Sequence, residues 1–337
     1  MSLPAINLLN IGLMLLSLAV AMFVPFETFL LAYAVLGPLH YLTQISWMHE
    51  RRYFTRVPRD GLWLTLLCVV IAVVALIGMK AGHRPSAQAA STLMAVALGL
   101  SMLFALTADK ALRWTGVVLI GVIALLLHGA TSLEIVVGIY VPTLIHVCLF
   151  TAAFVLYGAL KSRSWTAHAS LLVFVGCVAT ALLLDPGTLG YHASDFATEN
   201  YGFFHNVHGR LMADTARLDA PMKSMDELYS HPASLQVARL IAFAYTYHYF
   251  NWFSKTSIIR WHEVPKARIA AMVAIWIASV TLYLVDFTSG ITWLLFLSYL
   301  HVILEFPLDW RTFAGIGQEL KARVLPSSAA AAQPSGR

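Results

Sequence analysis

The chain alternates long apolar runs with short polar segments, and the runs have the length of membrane spans. An α-helix of about 20 residues crosses a hydrocarbon core about 30 Å thick. Pro25 and Gly290 interrupt two otherwise continuous apolar stretches, as residues at helix boundaries often do. The pattern predicts ten membrane-spanning helices, near residues 5–24, 27–49, 61–80, 88–107, 112–129, 133–160, 166–184, 233–253, 268–286 and 290–308.

Basic residues predict the orientation of these spans, because short cytoplasmic loops are enriched in lysine and arginine. With the N-terminus in the cytoplasm, 16 of the 22 basic residues fall in cytoplasmic segments and 5 in outer segments. We therefore predict an all-α, polytopic transmembrane helical bundle of about ten spans with cytoplasmic N- and C-termini. Residues 1–325 form its single integral membrane domain, and we expect the protein in the inner membrane of a bacterium.

Composition supports this class and argues against a nucleic-acid partner. The 337 residues are 59% hydrophobic and 12% charged, and their mean hydropathy is +0.73. The net charge of +5 comes from basic residues that lie between the spans, where membrane topology explains them. Cys68, Cys148 and Cys177 all lie within predicted spans and have no CxxC spacing, so we interpret them as small buried residues.

Two segments lie outside this pattern. Residues 185–232 form an outer segment far longer than an ordinary connection, which is typical of a functional lid or of disorder. His205 and His208 within it have the spacing of a two-ligand metal site, although two ligands bind weakly, so a lid or a solvent-exposed loop is favoured. The alanine- and serine-rich residues 326–337 are predicted to form a disordered tail.

Four histidines lie inside four different predicted spans: His40, His146, His248 and His301. These spans run in the same direction, and a rise of 1.5 Å per residue places the histidines roughly 10–22 Å from the cytoplasmic surface. An ionisable residue at this depth normally faces the bundle interior and meets a partner. Because neutral imidazole is the commonest protein metal ligand, we predict that the four histidines bind one metal ion within the bilayer.

Three of the histidines have a polar residue one helical turn further along the same face: Gln44 for His40, Asn251 for His248 and Glu305 for His301. Side chains in such positions orient an imidazole or complete a metal's coordination. A carboxylate as deep as that of Glu305 also needs a partner. We predict that these three residues form the catalytic and outer-shell groups of the site.

The ligand type leaves the metal open, because imidazole binds zinc, copper, iron and nickel. Four histidines with one carboxylate and no thiolate fit non-haem iron with open positions. Three histidines and a water fit a catalytic zinc, and axial pairs of histidines fit haem. A proton or ion pathway and plain structural hydrogen bonding are the alternatives without a metal.

The segment Gly37-Pro38-Leu39-His40 resembles the Gly-x-Pro-His segment of the bacterial membrane β-carotene dioxygenases (Brp/Blh-like). That family consists of multi-pass proteins of similar length in which histidines from several spans bind iron. Tyr41 stands where the family segment has glycine, and the family's downstream aspartate is absent. The resemblance covers the residues around His40 and the general architecture, and it implies an iron-dependent oxygenase.

We therefore predict a membrane-embedded metal oxidoreductase that uses non-haem iron and O₂ on a lipophilic substrate. The metal would supply the redox chemistry, while the protein sets its coordination and excludes water. Membrane lipid would surround the protein and deliver the substrate laterally, and an electron donor is a further possible partner. An intramembrane zinc hydrolase is the first alternative, and a haem-binding electron-transfer protein or transporter is the second.

Overall fold

The computed structural model describes residues 2–81, 84–184, 190–216 and 225–324, and these residues are almost entirely helical. No strand occurs among them. The α-helices are α1 (Leu3–Phe23), α2 (Pro25–Leu31), α3 (Gly37–Glu50), α4 (Asp60–Ala81), α5 (Arg84–Leu106), α6 (Lys110–Leu126), α7 (Thr131–Leu133), α8 (Thr151–Ser162), α9 (Trp165–Leu183), α10 (Asp195–Asn200), α11 (His205–Ala216), α12 (Met225–Ser230), α13 (Pro232–Ser254), α14 (Thr256–Ile259), α15 (Lys266–Val285) and α16 (Phe287–Val324). Two π-helical segments, Ala32–Leu36 and Glu134–Phe150, and two 3₁₀ turns, Arg52–Phe54 and Tyr201–Phe204, complete the chain.

Seven helical stretches are long and apolar enough to cross a membrane, which identifies an integral membrane protein. They are Leu3–Phe23, Asp60–Gly78, Arg84–Leu106, Thr131–Ser162, Trp165–Leu183, Lys266–Val285 and Phe287–Val324. The other three predicted spans also coincide with helical residues, near 27–49, 112–129 and 233–253. A π-helical segment divides the first of these, and the second is only 17 residues long. The count of ten and the orientation of the termini therefore stay predictions.

Large apolar side chains cover the outer surface of these helices. On α6, Trp114 is 73% exposed and Leu126 is 79% exposed. Contiguous apolar surface of this kind is costly in water and favourable against lipid tails. The pattern agrees with helices whose outer faces contact the hydrocarbon core of a bilayer.

Helix α13 lies at the centre of the bundle, where 18 of its 23 residues are buried. It packs against α1, α2, α9 and α11. Arg239 is fully buried there, and its Nε donates to the carbonyl of Met22 at 3.0 Å. Because protein rather than lipid surrounds this helix, it accommodates a polar content that a lipid-facing span would not.

The helical run Thr131–Ser162 is irregular in its middle. It is π-helical from Glu134 to Phe150 and contains Pro142, and Thr143 has the non-helical angles φ −116° and ψ −106°. Proline lacks the N–H that would bond to the carbonyl four residues earlier, so the helix is weakened at this point. The irregularity lies three residues before His146, and π-helical turns are frequent at functional sites.

The described part of the predicted outer loop is helical. Helices α10 and α11 and the turn Tyr201–Phe204 pack over α2 and α13. Glu27 holds the start of this segment, because its carboxylate accepts hydrogen bonds from the Tyr191 hydroxyl and from the backbone and hydroxyl of Ser194. The segment therefore forms a cap on the bundle. Residues 185–189 and 217–224 and the predicted tail 326–337 lie outside the described residues.

Candidate metal centre

The four intramembrane histidines meet in a closed ring of imidazoles at the heart of the bundle. The ring centroids of His40 and His248 are 4.8 Å apart, and those of His248 and His146 are also 4.8 Å apart. The distance from His146 to His301 is 5.0 Å, and His301 to His40 closes the ring at 5.4 Å. We call these four residues the histidine ring. The sequence prediction that they converge is therefore matched by their positions.

The Nε2 atoms of the histidine ring point toward one another. His40 Nε2 lies 3.1 Å from His248 Nε2, and His146 Nε2 lies 3.1 Å from His301 Nε2. Two nitrogens bound to one metal at about 2.1 Å lie about 3.0–3.4 Å apart for bond angles of 90–109°. A hydrogen bond between two neutral imidazoles has a similar length. The spacing thus fits a metal ion and also fits two imidazole pairs.

Two groups within the site have the compactness that a metal ion requires. In the first, His40, His248 and His301 each offer one ligand atom, and these atoms lie within 4.8 Å of one another. In the second, His146 and His301 are joined by Glu305 within the same limit. The four histidines are between 1% and 6% exposed, and Glu305 is 2% exposed. His301, on α16, belongs to both groups.

The Nδ1 atoms determine how the rings are held. Thr151 Oγ1 lies 2.8 Å from Nδ1 of His248 and fixes that imidazole. Within the described residues, Nδ1 of His40, His146 and His301 has no hydrogen-bond partner. Thr143 lies one turn before His146, but its hydroxyl donates to the carbonyl of Ile139 at 2.5 Å. The threonine that contacts a ring histidine therefore comes from the next helix, α8.

Two of the three predicted outer-shell residues, Glu305 and Gln44, approach the histidine ring, either directly or through each other. Glu305 Oε2 lies 3.7 Å from Nε2 of His146, and the Gln44 side chain hydrogen-bonds to the Glu305 carboxyl. Asn251 has a different neighbour, because its Oδ1 accepts a hydrogen bond from Tyr247 at 3.4 Å. Asn251 nevertheless lines the same cavity as His248 and Glu305, described below.

Aromatic side chains pack around the histidine ring. Tyr41 stacks on His301 with ring centroids 4.2 Å apart and an angle of 19° between the planes. The Tyr41 and Tyr249 hydroxyls are 2.7 Å apart, and Tyr249 also contacts His40. Trp252 meets His40 edge-on at 5.6 Å. This packing leaves the imidazoles little freedom to rotate.

Sequence reasoning missed several polar groups beside the ring. Asp309 lies one turn beyond Glu305 on α16, is 3% exposed, and has no hydrogen-bond partner among the described residues. Lys255 follows the end of α13 and lines a cavity together with His40 and His248. Burial lowers the pKa of Lys255 to about 8. The spacing of Asp309 from Glu305 is visible in the sequence as an i, i+4 pair, whereas the position of Thr151 depends on the packing of α8 against α13.

A largely hydrocarbon-lined cavity of 340 Å³ lies on the side of the ring that faces the cap. We call it the outer chamber. Thr143, Leu144 and Ser298 form its wall within one helical turn of His146 and His301. The cap residues Tyr201, Phe204 and Leu211 close it from outside. Its aromatic lining is Phe29, Tyr33, Tyr201, Phe203, Phe204, Tyr245, Phe296 and Tyr299.

A second cavity, of 180 Å³, lies on the opposite side of the ring and reaches His40 and His248 directly. We call it the inner cavity. Its polar lining is Gln44, Thr151, Asn251, Lys255 and Glu305. Trp47 and Ile259 lie at the end of the bundle that carries Arg51 and Arg260. The histidine ring therefore lies between two cavities, and of the two the inner cavity has ring histidines in its lining.

The hypothesis of a second metal site at His205 and His208 finds no support in the described residues. His208 is fully buried, and both of its ring nitrogens are engaged, with Tyr201 Oη at 2.8 Å and Ser234 Oγ at 2.8 Å. Burial lowers the pKa of His208 to about 3, so the ring is neutral at physiological pH. His208 thus fastens the cap to the start of α13.

Comparisons with protein-family models, with curated proteins and with solved structures return no match for this chain. The description of the site accordingly rests on the positions and chemistry of its own residues.

Proposed function

We propose that this protein is a membrane-embedded oxidoreductase that holds non-haem iron at the histidine ring and acts with O₂ on a lipophilic substrate. The observation that carries the proposal is the convergence of four buried imidazoles beside an apolar chamber. Polar groups are expensive to bury in a membrane protein and are rarely assembled there without a function. A metal ion would satisfy the converging Nε2 atoms at once.

The donor set favours iron. His146, His301 and Glu305 have the two-histidine, one-carboxylate composition that non-haem Fe(II) oxygenases use, with positions left open for other ligands. His40 and His248 complete the set from α3 and α13. When bound, such an iron activates O₂ for cleavage, hydroxylation or desaturation of a substrate.

Each remaining residue has a defined task in this proposal. Thr151 orients His248, and Gln44 holds the Glu305 carboxyl near His146. Asn251 contributes a polar wall to the inner cavity. The outer chamber would receive the lipophilic part of the substrate, because concave sites of this size and lining bind apolar ligands. Ala72 and Ala75 on α4 line its side, next to the lipid-facing Val73, and would admit the substrate laterally.

A zinc hydrolase is the second candidate, and the position of Glu305 favours it. A zinc ion on three histidines lowers the pKa of a bound water toward neutrality, and a nearby carboxylate then serves as the base. Haem fits less well, because four imidazoles with centroids 4.8–5.4 Å apart leave no flat gap for a macrocycle. A transporter or an electron conduit would have to use the same ring for ions, protons or electrons.

Elemental analysis of the detergent-purified protein, with an ultraviolet–visible spectrum of the same sample, tests the proposal. We expect about one iron per chain and no Soret band. Stoichiometric zinc would favour the hydrolase, a Soret band would show haem, and a protein without metal after expression in iron- and zinc-supplemented medium would overturn the metal centre.

A matched pair of variants makes the test specific to the ring. His248→Ala should lose the metal, whereas His168→Ala should keep it, because His168 lies on α9 outside both compact groups and bonds to the carbonyl of Ser164 at 2.8 Å. Retention of metal by a folded His248→Ala protein would show that His248 is not an essential ligand. O₂ uptake that depends on added lipophilic substrates would then separate the oxygenase from a hydrolase, whose turnover persists without oxygen.

A further inference from the structure

Two buried hydrogen-bond acceptors near the histidine ring have no partner among the described residues. They are Gln44 Oε1 and Glu305 Oε2. Both side chains line the inner cavity. A buried acceptor without a partner costs about 1–3 kcal/mol, so such atoms in a folded protein normally bind water or a ligand that donates hydrogen bonds.

The size and lining of this cavity suit water. Its volume of 180 Å³ is well above the about 10–15 Å³ that one buried water requires. A buried water needs two to four polar partners, and the wall offers Thr151, Asn251 and Lys255 in addition to the two acceptors.

The two cavities also differ in their access to the histidine ring. His40 and His248 line the inner cavity, whereas none of the four ring histidines lines the outer chamber. A solute in the inner cavity therefore reaches the proposed ligands without passing another side chain. At the far end, Lys255 and Ile259 lie beside the charged surface that carries Arg51, Arg260 and Glu263.

We infer that the inner cavity is a hydrated vestibule through which water and small hydrophilic solutes reach the histidine ring from the face that carries Arg51 and Arg260. Apolar ligands and aqueous ones then approach the site from opposite sides. Water for coordination and for proton exchange would come through the vestibule. The inference uses the geometry of the two cavities and does not depend on the identity of the metal.

Cysteine accessibility tests this inference without any activity measurement. In a background with Cys68, Cys148 and Cys177 changed to alanine, Leu308→Cys places a thiol in the vestibule and Leu144→Cys places a matched thiol in the outer chamber. Each variant is treated with the charged reagent 2-sulfonatoethyl methanethiosulfonate and, separately, with the apolar N-ethylmaleimide. The vestibule lies beside the charged surface, whereas the cap lies over the outer chamber and a charged reagent would have to lose its water to pass it. We therefore expect the charged reagent to label Leu308→Cys at least about ten-fold faster than Leu144→Cys.

Two controls keep the test decisive. Ile259→Trp, added to the Leu308→Cys protein, should slow labelling by the charged reagent by narrowing the mouth of the vestibule. Phe154→Cys, which lines the same cavity, replaces Leu308→Cys if that variant does not fold. Equal rates for the vestibule and chamber thiols with the charged reagent would overturn the inference. In sealed vesicles, labelling of Leu308→Cys from the face opposite to Arg51 and Arg260 would also overturn the inference. The metal content tests only the proposed function.

Discussion

The hydroxyl of Thr151 lies 2.8 Å from Nδ1 of His248, on the side of the imidazole that faces away from the centre of the ring. This contact joins two helices, α8 and α13. It fixes the orientation of the His248 imidazole, so that Nε2 is the nitrogen that faces the other histidines. Outer contacts of this kind contribute to metal affinity because a ligand held in place loses less freedom on binding.

Replacing Thr151 with valine removes this hydroxyl at nearly constant shape. We expect metal affinity to fall about 10–100-fold, as for other outer-shell partners of metal-binding histidines. Competitive titration with a chelator measures the change. Thr65→Val is the matched control, because the Thr65 hydroxyl donates to the Gly61 carbonyl of its own helix and not to a ring histidine. Equal affinities in the two variants would show that the Thr151 contact does not support the site.

His301 should be the most sensitive ligand, because it is common to both compact groups. We expect His301→Ala to weaken metal binding by more than about 100-fold, beyond the loss that an outer-shell change produces. His40→Ala removes a member of only one group and should leave the group of His146, His301 and Glu305 intact. Parallel metal titrations of the two variants compare them, and a stronger loss in His40→Ala would contradict this ranking.

The hydroxyl pair of Tyr41 and Tyr249 should stabilise the bundle near the ring. Tyr41→Phe keeps the stacking on His301 but removes one partner of a buried hydrogen bond at 2.7 Å. We expect a loss of about 1–3 kcal/mol in the free energy of unfolding, because the Tyr249 hydroxyl loses this contact. Unfolding in mixed detergent micelles measures it. In the Tyr41→Phe, Tyr249→Phe double variant the loss should be smaller than the sum of the single losses.

The contact of His208 should make the cap sensitive to acid. Burial lowers the pKa of His208 to about 3 from its ordinary value of 6.5. The unfolded cap therefore binds a proton below pH 6.5 that the folded cap excludes, so stability is complete above that pH and falls toward pH 3. The loss is at most about 1.4 kcal/mol per pH unit.

Limited proteolysis of the segment between residues 190 and 231 measures this effect. We expect cleavage to accelerate between pH 6.5 and 4 in the native protein and to depend less on pH in His208→Gln. His205→Gln is the control, because His205 is on the same helix but does not share the contacts with Tyr201 and Ser234. Identical pH profiles for His208→Gln and the native protein would contradict the assignment.

Filling the outer chamber should separate substrate binding from metal binding. Ala75 lines the chamber, and Ala75→Phe would place a ring within its 340 Å³. We expect O₂ uptake with lipophilic substrates to fall while the metal content stays unchanged. Val73 lies on the same helix and is 50% exposed, so Val73→Phe should change neither the O₂ uptake nor the metal content. Full activity in a folded, metal-loaded Ala75→Phe protein would exclude this chamber as the substrate site.

The helical membrane architecture and the members of the histidine ring are predictable because both depend on local signals. Apolar periodicity locates helices, and an ionisable residue in an apolar run is recognisable one residue at a time. His146 illustrates the limit, since its distance along the helix from Lys161 suggests a different depth from the other three. In the structure His146 converges with the other three histidines, and π-helical turns around Pro142 and Thr143 precede it. No periodicity in the sequence predicts those turns.

Partners from other helices were beyond sequence reasoning. Asn251 occupies the predicted turn after His248, yet its amide oxygen accepts a hydrogen bond from Tyr247 of the same helix, whose hydroxyl also lies beside Asn10 of α1. Thr151 was missed for the same reason, since a threonine in an apolar helix usually bonds to its own backbone. The cap was predicted as an outer loop, although its described residues form helices that bury Tyr201, His208 and Leu211.

The dependence of both compact groups on His301 has a consequence for biogenesis. The other three histidines enter the membrane earlier during synthesis, but α16 is the last described helix of the chain. A nascent protein that has not yet inserted α16 contains neither group. In the proposed metal centre, binding of the ion would therefore wait for the insertion of α16, and a chain truncated before residue 287 would lack both groups.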